Sequence, residues 1–158
     1  MKGILLAGGT GSRVWPMSKS VNKHLLPVFD KPMIYYPLTT LMLAGLKEIL
    51  IISSERDIRA IKELLGSGRK IGLKLQYKVQ EKPEGLAQSL IIAEEFLDGG
   101  ASTLVLGDNL FHGKGMTGLL EGAVAELERR GGCHLFATSV PDPSRFGVVE
   151  VDDGGSII

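Results

Sequence analysis

Residues 5–28 read LLAGGTGSRVWPMSKSVNKHLLPV. An apolar run over residues 3–7 empties into a cluster of glycines, then Arg13, and ten residues later Lys23 beside Leu-Leu-Pro. A short continuous apolar run that meets glycine is the pattern of a strand buried on both faces. Such strands belong to sheets covered by helices, where the loop after a strand lies on the ligand-binding edge. What this loop can hold depends on its glycines, its cations and the segments brought beside it.

Working outward, strand and helix patterns alternate. Residues 37–46 are apolar on nearly every side and predict a core helix with Pro37 in its first turn. Residues 49–53 predict a second buried strand. Ser54 then offers an N-cap with Asp57 three residues on, and the helix that follows carries Ile58, Ile61, Leu64 and Leu65 on one face as far as Gly66. Residues 73–79 alternate, predicting a strand with one wet face. Residues 86–97 predict a helix with Leu86, Leu90, Ile91, Ala93 and Leu97 inward, and residues 103–106 a third buried strand ending at Gly107 and Asp108.

Beyond it, residues 117–130 predict an amphipathic helix on Leu120, Val124 and Leu127. Further strands are expected at 134–140 and 148–151, with Pro141-Asp142-Pro143 turning between them. Asp152-Asp153-Gly154-Gly155 is a hairpin-turn signal, after which the chain has Ser156, Ile157 and Ile158. A returning strand begins there, so the chain reads as the front part of something longer, or a shortened version of it. The whole predicts an α/β fold, a mostly parallel sheet with helices on both faces, truncated on its C-terminal side.

Eighteen basic residues balance eighteen acidic ones, so no global field would gather nucleic acid or an acidic membrane. Cys133 is the single cysteine; it excludes an intramolecular disulfide and reads as a small buried apolar residue at a strand edge in a reducing compartment. His24, His112 and His134 never stand at metal-ligand spacing. The opening apolar run is too short for a signal peptide, and no stretch approaches the ~18 unbroken apolar residues of a membrane span. A cytoplasmic protein is expected.

The loop is neither of two named glycine motifs. A dinucleotide fingerprint starting at Gly9 would need a third glycine where Val14 stands, and a P-loop would need lysine directly after its second glycine. No acidic residue stands clearly at the end of a second strand to hold a ribose, which disfavours an NAD-binding domain. The useful physics survives. Gly8, Gly9 and Gly11 let the backbone approach a ligand closely, successive N–H groups can form an anion-binding nest, and Arg13 and Lys23 add cations. A tight turn carrying two surface cations would read the same way. Phosphate is the ligand this pattern favours.

LAGGTGSRVWP (6–16) followed by KHLLPVFDKPMIYYPL (23–38), with YKVQEKPEGLAQSL (77–90), LVLGDNLFHG (104–113) and VPDPSRFGVVE (140–150) in the same order, resembles the sugar-nucleotide pyrophosphorylases, and among them the glucose-1-phosphate thymidylyltransferases. The resemblance covers essentially all of the chain. It implies a Rossmann-like nucleotidyltransferase fold over residues 1–158, with the nucleotide-binding part present and most of the sugar-binding part missing. It implies an enzyme that joins dTTP to glucose 1-phosphate, releases pyrophosphate and uses Mg²⁺. A uridylyltransferase of the same family, or a non-catalytic nucleotide-binding remnant, are the alternatives. Homo-oligomers occur in the family and are compatible with the chain.

Residue by residue, the resemblance implies that Gly8, Gly9 and Gly11 wrap the nucleotide, with Leu6 and Ser12 beside them. Arg13 and Lys23 would be catalytic, gripping the triphosphate and neutralising the phosphoryl centre. His24 would contact nucleotide, Gln80 would read the base, and Gly85 would close over it. Asp108 would hold the metal and touch the nucleotide. Asn109, Phe146 and Gly147 would contact the sugar. Two substitutions depart from the family pattern, Ser12 where threonine is usual and His24 where glutamine is common. The family's second metal-binding aspartate would lie beyond Ile158.

Overall fold

The structure is a computed structural model, and it describes the chain except Thr10, Asp153, Gly155, Ser156 and Ile158 and the side chains of Arg13 and Arg145. In chain order the elements are β1 (Lys2–Leu6), the small hairpin β2 (Pro27–Val28) and β3 (Lys31–Pro32), α1 (Tyr35–Leu43), β4 (Glu48–Ser53), α2 (Glu55–Leu65), β5 (Lys74–Val79), α3 (Ala87–Leu97), β6 (Ser102–Leu106) and α4 (Met116–Arg130). The sheet has the order β5-β4-β1-β6 and all its pairings are parallel. β1 is therefore an inner strand. The chain moves outward from it through β4 and β5, then crosses back to lay β6 on its other side. That reversal makes a crevice at the carboxyl ends of the strands.

The period-two alternation of each strand divides its side chains between two cores. Leu5, Ile49, Ile51 and Val105 face one side, where α1, α2 and α4 bring Leu38, Leu41, Ile61, Leu65 and Leu120. Ile4, Leu50 and Ile52 face the other, where α3 brings Ala93 and Phe96. Helices thus cover both faces, as the apolar runs require. Ile4, Leu5, Ile49, Leu50, Ile51 and Ile52 have no exposed surface at all.

Several expectations from the sequence need correction. On α3 the inward residues are Ser89, Ala93 and Phe96, with Ile92 and Leu97 packed beside them, while Leu86, Leu90 and Ile91 are exposed. This helix is apolar on more than one side, so its pattern does not specify which face meets the sheet. No strand forms over 134–140 or 148–150, and Cys133 is exposed rather than tucked into a strand edge. A strand exists through its hydrogen-bonded neighbour, and among the described residues nothing pairs with these segments. Leu135, Phe136 and Val148 are accordingly exposed. An isolated antiparallel bridge joins Val151 to Ile157, and the Gly154 amide donates to Asp152 Oδ1 at 2.9 Å. Asp153 and Gly155 of the expected turn, with Ser156 and Ile158 after it, lie outside the described residues. Among the described residues, no helix is long and apolar enough to cross a membrane.

The β2–β3 hairpin carries a local strain. Its pairing of Val28 with Lys31 leaves Phe29 and Asp30 as the loop, and Phe29 takes φ 59° with its side chain 99% exposed. A bulky residue in this left-handed region is disfavoured, whereas asparagine tolerates it. Since the ring buries nothing, Phe29→Asn should stabilise the chain by about 1 kcal/mol. A higher urea midpoint at unchanged slope would show it.

Candidate functional site

The carboxyl ends of the strands supply the site. β1 leads through Ala7 into Gly8 and Gly9, β4 into Ser54, β5 into Gln80, and β6 into Gly107 and Asp108. Gly9 has φ 97° and Gly11 φ 64°, the left-handed geometry that glycine adopts freely. The loop closes on itself: Ser18, almost wholly buried, donates to the Gly11 carbonyl at 2.6 Å. A Cβ on Gly11 would come 2.9 Å from that of Ser18. Gly8 is needed for a different reason, because a Cβ there would come 2.7 Å from Oε1 of Gln80. The glycine loop and the end of β5 are thus in direct contact.

Gln80 is buried and its orientation is fixed. Its Nε2 donates to Gln88 Oε1 at 2.6 Å, and Gln88 Nε2 in turn donates to Glu84 Oε2 at 2.9 Å. A cleft of about 250 Å³ opens here, lined by Gly8, Gly9, Ser54, Arg56, Asp57, Gln80, Glu81 and Pro83. A carboxamide at the wall of such a cleft presents a donor and an acceptor together, as recognition of a base edge requires. A roomier depression of about 500 Å³ lies between the end of α2 and β5, beside Gly66 and Tyr77. The Tyr77 hydroxyl donates there to the Gly66 carbonyl at 2.6 Å, and none of the candidate site residues expected from the sequence line it.

The charged centre lies between the lysine turn and the end of β6. Lys23 Nζ forms an ion pair with the Asp108 carboxylate. Burial works against ionisation of Asp108, but the Lys23 ammonium outweighs it and holds the carboxyl below its usual range. His24, next in sequence, is 1% exposed. Burial first, and the Lys23 charge second, push its imidazole down to about 4, so the ring is neutral at physiological pH. It lies against Gly107, where a Cβ would come 2.6 Å from His24 Cδ2 and 2.8 Å from Nε2.

These contacts bring Gly8, Gly11, Lys23, His24, Gln80, Gly107 and Asp108 to one edge of the sheet. Leu6 forms the floor, its carbonyl accepting from the Gly107 amide at 2.8 Å. Ser12 and Gly85 are exposed on neighbouring loops, Gly85 with φ 99°. Asn109 follows Asp108 with its amide donating to Leu106 O at 3.1 Å. Phe146 is exposed, its amide bonded to Pro143, and Gly147 is exposed beside it; no hydrogen bond or ion pair among the described residues ties this pair to the centre.

Comparison with known proteins identifies the arrangement. The family model described as nucleotidyl transferase matches residues 2–158. The chain belongs to that family. It is 52% identical over 153 residues to the glucose-1-phosphate thymidylyltransferase of Neisseria gonorrhoeae, covering 97% of this chain and 52% of that protein. It is 51% identical over 157 residues to the enzyme of the same name from Xanthomonas campestris, covering 99% of this chain and 52% of that one. Among solved structures, a Bacillus anthracis protein provisionally named glucose-1-phosphate thymidylyltransferase, solved with sucrose, superposes with a TM-score of 0.83 at 37% identity over 97% of this chain and 61% of that one. The chain spans about half the length of the curated relatives it matches.

Within this member of the nucleotidyl transferase family, sequence reasoning missed Ser18, Asn22, Gln88 and Gly107. Asn22 is 3% exposed and caps the Lys23–Leu25 turn, accepting from the His24 amide at 2.8 Å. An asparagine just before a short turn is a cap signal that could have found it. Gly107 has no such local signal, since its need is set by His24, far away in sequence. Asp57 was read as a capping residue, yet it accepts from Ser54 Oγ and Asn22 Nδ2, each at 2.8 Å.

Two outcomes follow from this packing. Gly107→Ala should cost roughly 1–3 kcal/mol by overpacking against His24, and less when His24 is also Ala. A double-mutant cycle in urea measures the difference. The second concerns acid. His24 moves from 6.5 when unfolded to about 4 when folded, so between those values the unfolded chain binds more protons and stability falls as pH falls. Lys23, Asp108 and Asp57 face the ring, and the two carboxylates, held low, lose their contribution only at more acid pH. The chain should be about 2 kcal/mol less stable at about pH 5 than at about pH 7.5, and His24→Gln should flatten that slope.

Proposed function

We propose that the chain forms the nucleotide-handling half of a glucose-1-phosphate thymidylyltransferase and that its crevice binds dTTP. The observation that carries this reading is the pairing of Lys23 with Asp108 one step from the glycine loop and the Gln80 cleft. A cation, a carboxylate and a base-reading carboxamide are the groups a nucleoside triphosphate needs. The relatives' name supplies the rest of the reaction. A phosphate oxygen of glucose 1-phosphate attacks the α-phosphorus of dTTP, a new P–O bond forms, and the bond to the β-phosphate bridging oxygen breaks to release pyrophosphate. The nucleophile is already anionic, so no residue here need act as a base.

The chain's residues contribute by position and charge. The loop at Gly8, Gly9 and Gly11 brings backbone N–H groups to the phosphates. Lys23 neutralises charge that develops on the transferring phosphoryl group, and Arg13 is assigned to the departing pyrophosphate. Gln80 pairs with the N3–H and O4 edge that thymine and uracil share, with Gly85 closing above. Asn109, Phe146 and Gly147 are assigned to the sugar. Asp108 is chemically suited to Mg²⁺, which binds through one or two carboxylates and takes its other ligands from phosphate and water. Among the described residues no group of three His, Cys, Asp or Glu side chains could hold a metal, so a cation at Asp108 would have to take its other ligands from the triphosphate and water. Bound there, the metal would neutralise phosphate charge. Lys23 would then exchange Asp108 for phosphate.

Titration calorimetry with dTTP, UTP and NAD, with and without Mg²⁺, tests the reading. dTTP should bind and NAD should not. Lys23→Ala should weaken dTTP roughly 10- to 100-fold whether or not Mg²⁺ is present, the loss of one charge-assisted phosphate contact. Asp108→Asn should instead abolish the effect of Mg²⁺. Unchanged magnesium-dependent binding in both variants would overturn the assignment, and stronger binding of UTP would move it to a uridylyltransferase.

A further inference from the structure

Asp57 lies outside the groups so far given a chemical task, yet it is 6% exposed and collects several donors. Arg56 Nε donates to Oδ1 at 2.8 Å; Ser54 Oγ at 2.8 Å, Asn22 Nδ2 at 2.8 Å and an Arg56 terminal nitrogen at 3.1 Å converge on Oδ2. Burial works against ionisation, but these donors outweigh it and keep the carboxyl below its usual range. An ionised carboxylate can only accept. Asn22 must therefore turn its Nδ2 toward Asp57.

The other end of that carboxamide is settled jointly, by Asp57 on one side and by the His24 backbone N–H on the other. Oδ1 accepts from the His24 backbone N–H at 2.8 Å and lies 2.6 Å from His24 Nδ1. An amide oxygen has no proton to give, so Nδ1 must carry the hydrogen. Nε2 is left bare, on the side of the ring that lies against Gly107. With Lys23 between Asn22 and His24, and Asp108 directly after Gly107, the chain of contacts passes from α2 to both partners of the ion pair.

We propose that Asp57 is a positioning residue: through the Asn22 carboxamide it fixes His24 in the Nδ1–H tautomer and so holds the groups that flank Lys23 and Asp108. The importance of this to phosphate handling rests on the function proposed above; the tautomer does not. A residue that merely capped α2 would affect stability without choosing the proton's place on a ring in another segment. Removing Asp57 leaves the Asn22 carboxamide held chiefly through the His24 backbone N–H, which still requires Oδ1 and so forbids a simple flip; the carboxamide can instead swing away, leaving Nδ1–H without its acceptor and freeing the proton to pass to Nε2.

The test is long-range ¹H–¹⁵N correlation on the full chain labelled at histidine, without nucleotide, at neutral pH. The His24 signals are assigned by their loss in His24→Gln. Wild type should show the proton on Nδ1 and a bare Nε2. Asp57→Asn keeps an acceptor oxygen for Asn22 and should keep that pattern, whereas in Asp57→Ala the protonated and bare positions should exchange or average. A proton on Nε2 in the wild type overturns the proposal. So does an unaltered pattern in Asp57→Ala, or a switched one in Asp57→Asn. The wild-type and Asp57→Asn spectra decide even where Asp57→Ala fails to fold. Because no nucleotide is present, failure to bind dTTP and failure of the tautomer are separate results.

Discussion

An inner strand of a covered parallel sheet cannot stop without leaving its last polar groups in a dry interior, and much of this molecule follows from how β1 is allowed to end. The Ala7 amide still donates to Ile52 O at 2.7 Å. Beyond that point the ladder gives out, and the Ala7 carbonyl is met by side chains. Ser53 Oγ donates to it at 2.8 Å, and Asn22 Nδ2 reaches toward it at 3.5 Å. A buried carbonyl without such partners would cost about 1–3 kcal/mol. The requirement draws the lysine turn in from the far side of the glycine loop and anchors it against the sheet.

The same anchoring explains why an ammonium, an imidazole and a carboxylate can share a small space. Burial of the His24 ring, and next to that the Lys23 ammonium beside it, keep the imidazole from taking a second proton cheaply. Its neutrality leaves Lys23 and Asp108 as a balanced pair. A pair of this kind lowers the cost of holding a cation and an anion in place at the edge of the crevice. Rim pairs elsewhere, such as Arg59 with Glu63 or Lys74 with Glu48, are exposed and have no comparable consequence.

The sheet was legible in the sequence because three short apolar runs and one alternating run, spaced by helix patterns, have few other ways to be buried. The glycine loop, Gln80 and Asp108 were legible as candidates because each follows such a run, and Lys23 because it stands in one of the ordered blocks that resemble a known family. α3 was misread because its apolar residues do not mark one face. The segments at 134–140 and 148–151 carry the β-branched and aromatic residues of strands, but that composition reports a preference for a half-buried surface and cannot supply the partner. Gly107 and Gln88 were invisible for another reason: what they do is defined by His24 and Gln80, which only the fold brings near. Asp57 was visible at the right position with the wrong task, since a carboxylate at the third position of a helix has an obvious local role that conceals a longer-range one.

The histidine at position 24 illustrates how one side chain can take the place of another while changing the chemistry of the site. Glutamine, which the resemblance implies at this position, offers a donor and an acceptor at fixed positions and never ionises. An imidazole matches that offer on two conditions: it must stay neutral, and its proton must stay on one nitrogen. Burial beside Lys23 meets the first, pushing the ring down to about 4. The Asn22 carboxamide, locked by Asp57, meets the second. Neither condition is a property of residue 24 itself. Histidine at this site is therefore one part of a set whose other members are an asparagine two residues earlier, a carboxylate on α2 and a glycine at the end of β6. A glutamine there would need only room, so the set explains what those three positions do in this chain.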